Sequence, residues 1–142
     1  MASKGPDAAE LSAFATSLYQ LVEKLRAEHE EAAAAAGVTA AQAAVLTMLA
    51  EPQSMAKLAE AMGCDASNIT GLVDRLEAKG LVARTADARD RRVKLIAWTA
   101  AGKAAVERFQ RDLIKASSLA KLSPKARRGL LEALTEVQQP ER

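Results

Sequence analysis

Apolar positions keep a helical spacing from Leu11 to Leu76, alternate between Leu81 and Trp98, and return to helical spacing beyond Thr99. Recurrence every three or four residues puts side chains on one helix face, and recurrence every two puts them on one face of a strand. Leu11, Phe14, Leu18, Leu21, Val22 and Leu25 form the stripe of a first helix. It opens near Pro6 and Asp7, where proline suits the first turn and Asp7 and Glu10 complement the helix dipole. It runs out in Ala32 to Ala36 and stops at Gly37. Thr39, with Gln42 three residues on, has the form of a capping box opening a second helix. Val45, Leu46, Met48 and Leu49 give that helix its core face, and Pro52 closes it. Ser54 caps a third helix that buries Met55, Leu58 and Met62. Gly63 suits the left-handed conformation that ends a helix, and Asp65 can cap the next. That fourth helix carries Ile69, Leu72, Val73 and Leu76 on one stripe and ends at Gly80.

Leu81–Thr85 and Val93–Trp98 then read as two short strands. Between them Ala86-Asp87-Ala88-Arg89-Asp90-Arg91-Arg92 makes a hairpin tip that is almost entirely charged. Such a tip has nothing to pack on its own domain and stands in solvent or against a polyanion. Thr99 caps a long fifth helix with apolar positions Val106, Phe109, Leu113, Ile114 and Leu119. Ser123-Pro124 opens a sixth, striped by Leu130, Leu131, Leu134 and Val137, and the tail from Gln138 to Arg142 is expected to fray. The order predicts a mainly α chain with a small β-hairpin wing: a winged helix-turn-helix with N- and C-terminal dimerisation helices. Residues 1–142 form a single domain, with 39–98 as the winged helix and 6–37 and 99–138 as the dimerisation helices. The flanking stripes are too few to wrap a private core, so an isologous homodimer is expected.

Composition narrows the class. About half of the 142 residues are apolar, mostly Ala and Leu, which favours helices. Net charge is only +2, so an electrostatic argument must rest on where the charges lie. A single cysteine excludes an intramolecular disulfide and fits a reducing compartment. No apolar run is long enough to cross a bilayer, and no hydrophobic signal core follows Met1–Pro6. A cytoplasmic protein is expected. His29 has no second ligand at metal spacing and reads as a surface histidine. With one histidine, one cysteine and no glycine-rich phosphate loop, there is no catalytic constellation, and neither an enzyme nor a cofactor is expected.

The fourth helix turns Ser67, Asn68, Thr70, Gly71 and Arg75 away from its apolar stripe. A face built for water usually carries Glu and Lys, whereas short polar groups, a bare backbone and one arginine suit a DNA groove. Arg75 can fork onto guanine and Asn68 can pair with adenine, each worth about 1–3 kcal/mol of discrimination. Surface ion pairs contribute only about 0–1 kcal/mol, so stability gives no reason to cluster Arg89, Arg91 and Arg92. The negative potential of a narrow minor groove does. Arg75, Lys79, Arg84 and Lys94 are expected to extend the positive charge over the same surface. Cys64 reads as a small buried residue in the turn, although a thiol near a helix N-terminus can also be activated. Trp98 reads as core between hairpin and fifth helix. Phe14, Tyr19, Trp98 and Phe109 are the candidate ligand-pocket residues.

Leu58-Ala59-Glu60, Asn68-Ile69-Thr70, Val73-Asp74-Arg75-Leu76-Glu77 and Lys79-Gly80-Leu81-Val82 resemble the core of the MarR family of bacterial transcriptional regulators. Asp87-x-Arg89-Asp90-x-Arg92, then Leu95 and Thr99-x-x-Gly102, is similar to that family's wing signature. The resemblance implies dimers on short palindromic operators in double-stranded DNA. Ser67, Asn68, Thr70, Gly71 and Arg75 would lie at the major groove. Arg89 would enter the minor groove, Arg91 or Arg92 would meet phosphate or hold the wing, and Asp87 and Asp90 would orient the arginines. Many members release DNA on binding a small aromatic molecule. A ligand-responsive homodimeric repressor is therefore expected, with a cysteine-based redox regulator or a winged-helix protein-interaction module as alternatives. Two residues depart from the family pattern: Trp98 stands where leucine is usual, and Cys64 where an aliphatic residue is usual.

Overall fold

Helix ends leave backbone N–H and C=O groups that something outside the helix must satisfy, and short polar side chains do so along this chain. In the computed structural model, which describes Gly5 and residues 7–139, the elements in chain order are α1 (Ala8–Ala35), α2 (Ala40–Met48), β1 (Gln53–Ser54), α3 (Met55–Met62), α4 (Ala66–Ala78), β2 (Val82–Ala86), β3 (Lys94–Trp98), α5 (Ala100–Ala116), a 3-10 turn (Ser118–Lys121) and α6 (Pro124–Gln138). Pro6, expected to open α1, and residues 140–142 of the expected frayed tail lie outside the described residues. The Thr39 hydroxyl accepts from the Gln42 N–H while the Gln42 side chain accepts from the Thr39 N–H, completing the capping box of α2. Ser54, Asp65 and Ser123 cap α3, α4 and α6 in the same i to i+3 manner. α2 stops at Met48, short of Pro52.

The chain divides into two compact units. One is residues 29–113, and the other joins the stretch up to Glu28 with that from Ile114 on. In the first unit Val45, Leu46 and Leu49 meet Leu58, the α4 stripe Ile69, Leu72, Val73 and Leu76, and Val82, Ile96, Val106 and Phe109, all buried. The sheet order is β1-β3-β2, antiparallel throughout, with Val82 opposite Trp98 and Arg84 opposite Ile96. The strand β1 was not expected from the sequence. It is two residues long and exists only because Gln53 and Ser54 pair with Ile96 and Leu95.

In the second unit the Glu28 carboxylate accepts from both the N–H and the hydroxyl of Ser118. These bonds, the side-chain one first, hold the Glu28 carboxyl below its usual range. The fifth helix does not run through Leu119 as expected. It ends at Ala116, and Leu119 belongs to the 3-10 turn, where its N–H donates to the Ser117 hydroxyl. Two consecutive serines offer the backbone local side-chain partners, so the helical ladder stops. Among the described residues, every buried core residue lies in the 29–113 unit. The widely exposed large apolar side chains, Val93 excepted, all lie in the other: Leu11, Phe14, Tyr19, Val22, Ile114, Leu131, Leu134 and Val137.

Candidate nucleic-acid interface

The turn before α4 is built from backbone geometry and one carboxylate. Gly63 adopts φ +60°, the left-handed conformation, and its N–H donates to the Glu60 carbonyl. Asp65 accepts from the Asn68 N–H at 2.8 Å and from the Ser67 hydroxyl at 2.9 Å. These two bonds, the backbone one first, hold the Asp65 carboxyl below its ordinary range. Burial of the apolar stripe then fixes which face of α4 looks outward: Ser67, Asn68, Thr70 and Arg75 are exposed and Gly71 is half-buried.

Two of the expected reading groups are partly committed within the chain. Ser67 spends its hydroxyl hydrogen on Asp65, and Thr70 spends its own on the Ala66 carbonyl at 2.7 Å. Each can therefore offer a groove only an acceptor oxygen. Gly71 has ordinary helical geometry. A Cβ built there would meet only the guanidinium nitrogens of Arg75, at 3.8 Å, an ordinary contact distance. Glycine in a helix interior costs about 1 kcal/mol relative to alanine, and the packing around Gly71 does not require it.

At the wing, Asp87 accepts from the Arg89 N–H at 2.9 Å, and Asp90 accepts from the Arg92 N–H at 3.0 Å. The Asp87 N–H donates to Val93 and the Val93 N–H to Asp90, which closes the tip. The two acids thus hold backbone amides rather than guanidinium groups. Arg89, Arg91 and Arg92 are exposed, and their side chains form no hydrogen bond or ion pair among the described residues.

The expected spread of positive charge is narrower in the structure. Arg84 forks onto Asp74 and Glu77 of α4, each at 2.5 Å, and these carboxylates, led by the Asp74 hydrogen bond, raise its pKa further. Lys79 donates to the Gly37 carbonyl at 3.0 Å and to the Gln42 side chain at 3.1 Å. Both cations are used to tie α4 to its neighbours. Arg75, Lys94 and the wing arginines remain for an outside anion.

Of the four candidate pocket residues, Trp98 and Phe109 belong to the 29–113 unit and Phe14 and Tyr19 to the other. Trp98 is half-buried, and its indole N–H donates to the Leu46 carbonyl at 2.7 Å, so it packs towards α2. Phe14 and Tyr19 are 59% and 74% exposed in the terminal unit. Phe109 lines a cavity of about 390 Å³, with His29, Ala40, Ala44, Thr47, Met48, Gln110 and Leu113. His29 is exposed, as expected, and its ring lies 6.1 Å from that of Phe109 between centroids, tilted against it. His29 stands on α1 and Phe109 on α5, so no local pattern in the sequence marks this cavity. Cys64 is half-buried against the core in the α3–α4 turn. Among the described residues, no cluster of metal-ligating side chains occurs.

The MarR family profile matches residues 38–94, which spans this helix-turn-helix and most of the wing. The transcriptional activatory protein BadR of Rhodopseudomonas palustris is 36% identical over 104 residues, 70% of this chain and 59% of its own length. The HTH-type transcriptional repressor MdtR of Bacillus subtilis is 42% identical over 79 residues, 54% of this chain and 51% of its own. The chain thus spans a little over half the length of the curated relatives it matches. The crystal structure of CouR from Rhodococcus jostii RHA1, bound to p-coumaroyl-CoA, superposes with a TM-score of 0.79 at 28% identity, over 91% of this chain and 94% of that one. Profile, relatives and fold agree, and the chain belongs to the MarR family of transcriptional regulators.

Proposed function

We propose that this chain is a homodimeric, sequence-specific regulator of transcription that binds a two-fold-symmetric operator in double-stranded DNA and is controlled by a small aromatic effector. One observation carries the reading. The wing acids engage backbone amides and leave three guanidinium groups outward, beside a helix edge whose exposed side chains are Ser67, Asn68, Thr70 and Arg75. An exposed helix of short polar groups fits the major groove, and arginines on a loop fit the negative potential of the neighbouring minor groove. Ser67, Asn68, Thr70, Gly71 and Arg75 face the base edges, Arg89 enters the minor groove, and Arg91 and Arg92 meet phosphate.

The exposed apolar side chains of the terminal unit support the second copy, since residues such as Phe14 and Val137, 59% and 82% exposed, gain burial only from a partner. The lining around Phe109 and His29 supports the effector, and its size suits a single-ring acid. Work on DNA assigns the protein to the cytoplasm in this reading. One curated relative is named an activator and the other a repressor; repression by operator occupancy is the simpler arrangement and is the one proposed.

The test is selection of bound DNA from a random duplex pool with the full chain, followed by sedimentation. A symmetric consensus with half-sites about one helical turn apart, bound by two chains, is expected. Recovery of no consensus, or of an asymmetric site bound by one chain, overturns the reading.

A further inference from the structure

At about 100° per residue, Ser67, Gly71 and Arg75 follow one another along a single ridge of α4, and this ridge is the middle of the outward face. Gly71 is the lowest point of it. Three explanations for a glycine at such a place fail. Its backbone is ordinary helix, so no left-handed conformation demands it. No backbone or core side chain stands where its Cβ would be, so close packing within the chain does not demand it. Helix propensity disfavours it. The vacancy is instead covered by the end of one flexible side chain, the Arg75 guanidinium, which leans back toward the helix N-terminus as long helical side chains do. The next turn toward the N-terminus is also low, because Ser67 is small and its hydroxyl is turned onto Asp65.

We infer that Gly71 is the point where the α4 backbone comes closest to the base edges, and that it sets specificity by letting Arg75 leave its resting place over the glycine and reach a base. This deepens the proposed DNA reading and rests on it. Glycine is the residue that permits such an approach of backbone to ligand. A methyl at residue 71 holds the helix off the groove by about its own thickness, and bidentate readout by an arginine does not survive that displacement. Phosphate contacts from the wing, made through long side chains on a separate element, tolerate it.

The experiment compares wild type with Gly71→Ala, each full-length, on the duplex selected by wild type and on a random-sequence duplex of the same length. Failure of wild type to prefer its selected duplex would be failure of the DNA reading itself and is seen before the variant is examined. Given that preference, Gly71→Ala is expected to melt a few degrees higher, to bind the selected duplex at least about tenfold more weakly, and to bind the random duplex as wild type does. Unchanged affinity for the selected duplex, equal loss on both duplexes, or a lower melting temperature each overturns the inference.

Discussion

The carbonyl oxygen of Leu81 stands where a side chain on Gly102 would begin: a Cβ built on Gly102 would lie 1.8 Å from it. The same crossing is tied by Thr99, whose hydroxyl donates to the Gly80 carbonyl and accepts from the Gly102 N–H, while its own N–H donates to Leu81. This is the physical content of the Thr99-x-x-Gly102 spacing. The helix leaving the wing is pinned to the strand that enters it, and only glycine lets the two backbones meet.

Gly102→Ala is therefore expected to destabilise the chain by about 3 kcal/mol, because the obstructing atom is backbone and cannot rotate away. Urea denaturation measures it. A variant as stable as wild type would show that α5 and the β2 entry are free to separate.

The features legible in the sequence are those fixed within one or two helical turns. Thr39, Ser54, Asp65 and Ser123 each cap a helix through an N–H three residues on, and Gly37, Gly63 and Gly80 take positive φ where helices end. What escaped depends on distant partners. β1 needs β3. Lys79 finds Gln42 across 37 residues, and Arg84 finds two carboxylates on the preceding helix. All three pairings follow from how elements pack, and periodicity carries no record of them. The cavity beside Phe109 escaped for the same reason, since α1, α2 and α5 all contribute to it.

The pairing of Arg84 separates two kinds of cation experimentally. Arg89→Ala is expected to weaken operator binding and to lower the slope of log affinity against log salt by about one, as loss of a DNA contact does. Arg84→Gln should leave that slope unchanged and alter stability by less than about 1 kcal/mol, because its partners are partly exposed carboxylates of the protein itself. Binding titrations over a salt series decide it. Equal slopes for wild type and Arg89→Ala would remove the wing from the duplex.

Asp65 and Glu28 both have carboxyls lowered by hydrogen bonds to the ionised form. A group lowered in the folded state stabilises above its unfolded pKa, and that contribution is lost as pH falls through the folded value. Asp65→Asn keeps a capping oxygen without the charge. It should melt below wild type near neutrality and converge on it as pH drops below the usual carboxylate range of about 4. Melting curves taken down to about pH 2 test this, and a gap that stays constant with pH would mean the Asp65 charge contributes nothing to the cap.

The exposed apolar side chains of the terminal unit are the surface through which the proposed dimer would form. Leu131 is 66% exposed and Phe14 59%, so a carboxylate at either place costs little in an isolated chain and much in a dimer that buries it. Leu131→Glu and Phe14→Glu are each expected to shift the chain from dimer to monomer by sedimentation, with operator affinity falling at least about tenfold as the second half-site contact is lost. A dimer persisting in both variants would place the interface elsewhere.

The cavity beside Phe109 offers an aromatic wall, aliphatic sides from Ala40, Ala44, Met48 and Leu113, and polar groups on His29, Thr47 and Gln110. A ring with one carboxylate or hydroxyl satisfies that lining. Salicylate and 4-hydroxycinnamate are suitable probes. A ligand that binds only the folded state raises the melting temperature in proportion to the logarithm of its concentration once above Kd. Ala44→Phe fills the space from α2 and should abolish that rise. The α4 face and the wing contribute nothing to the lining, so the same variant should bind operator as wild type does while no longer being released by the probe. If the variant keeps both the thermal shift and the release, the effector site lies outside this cavity.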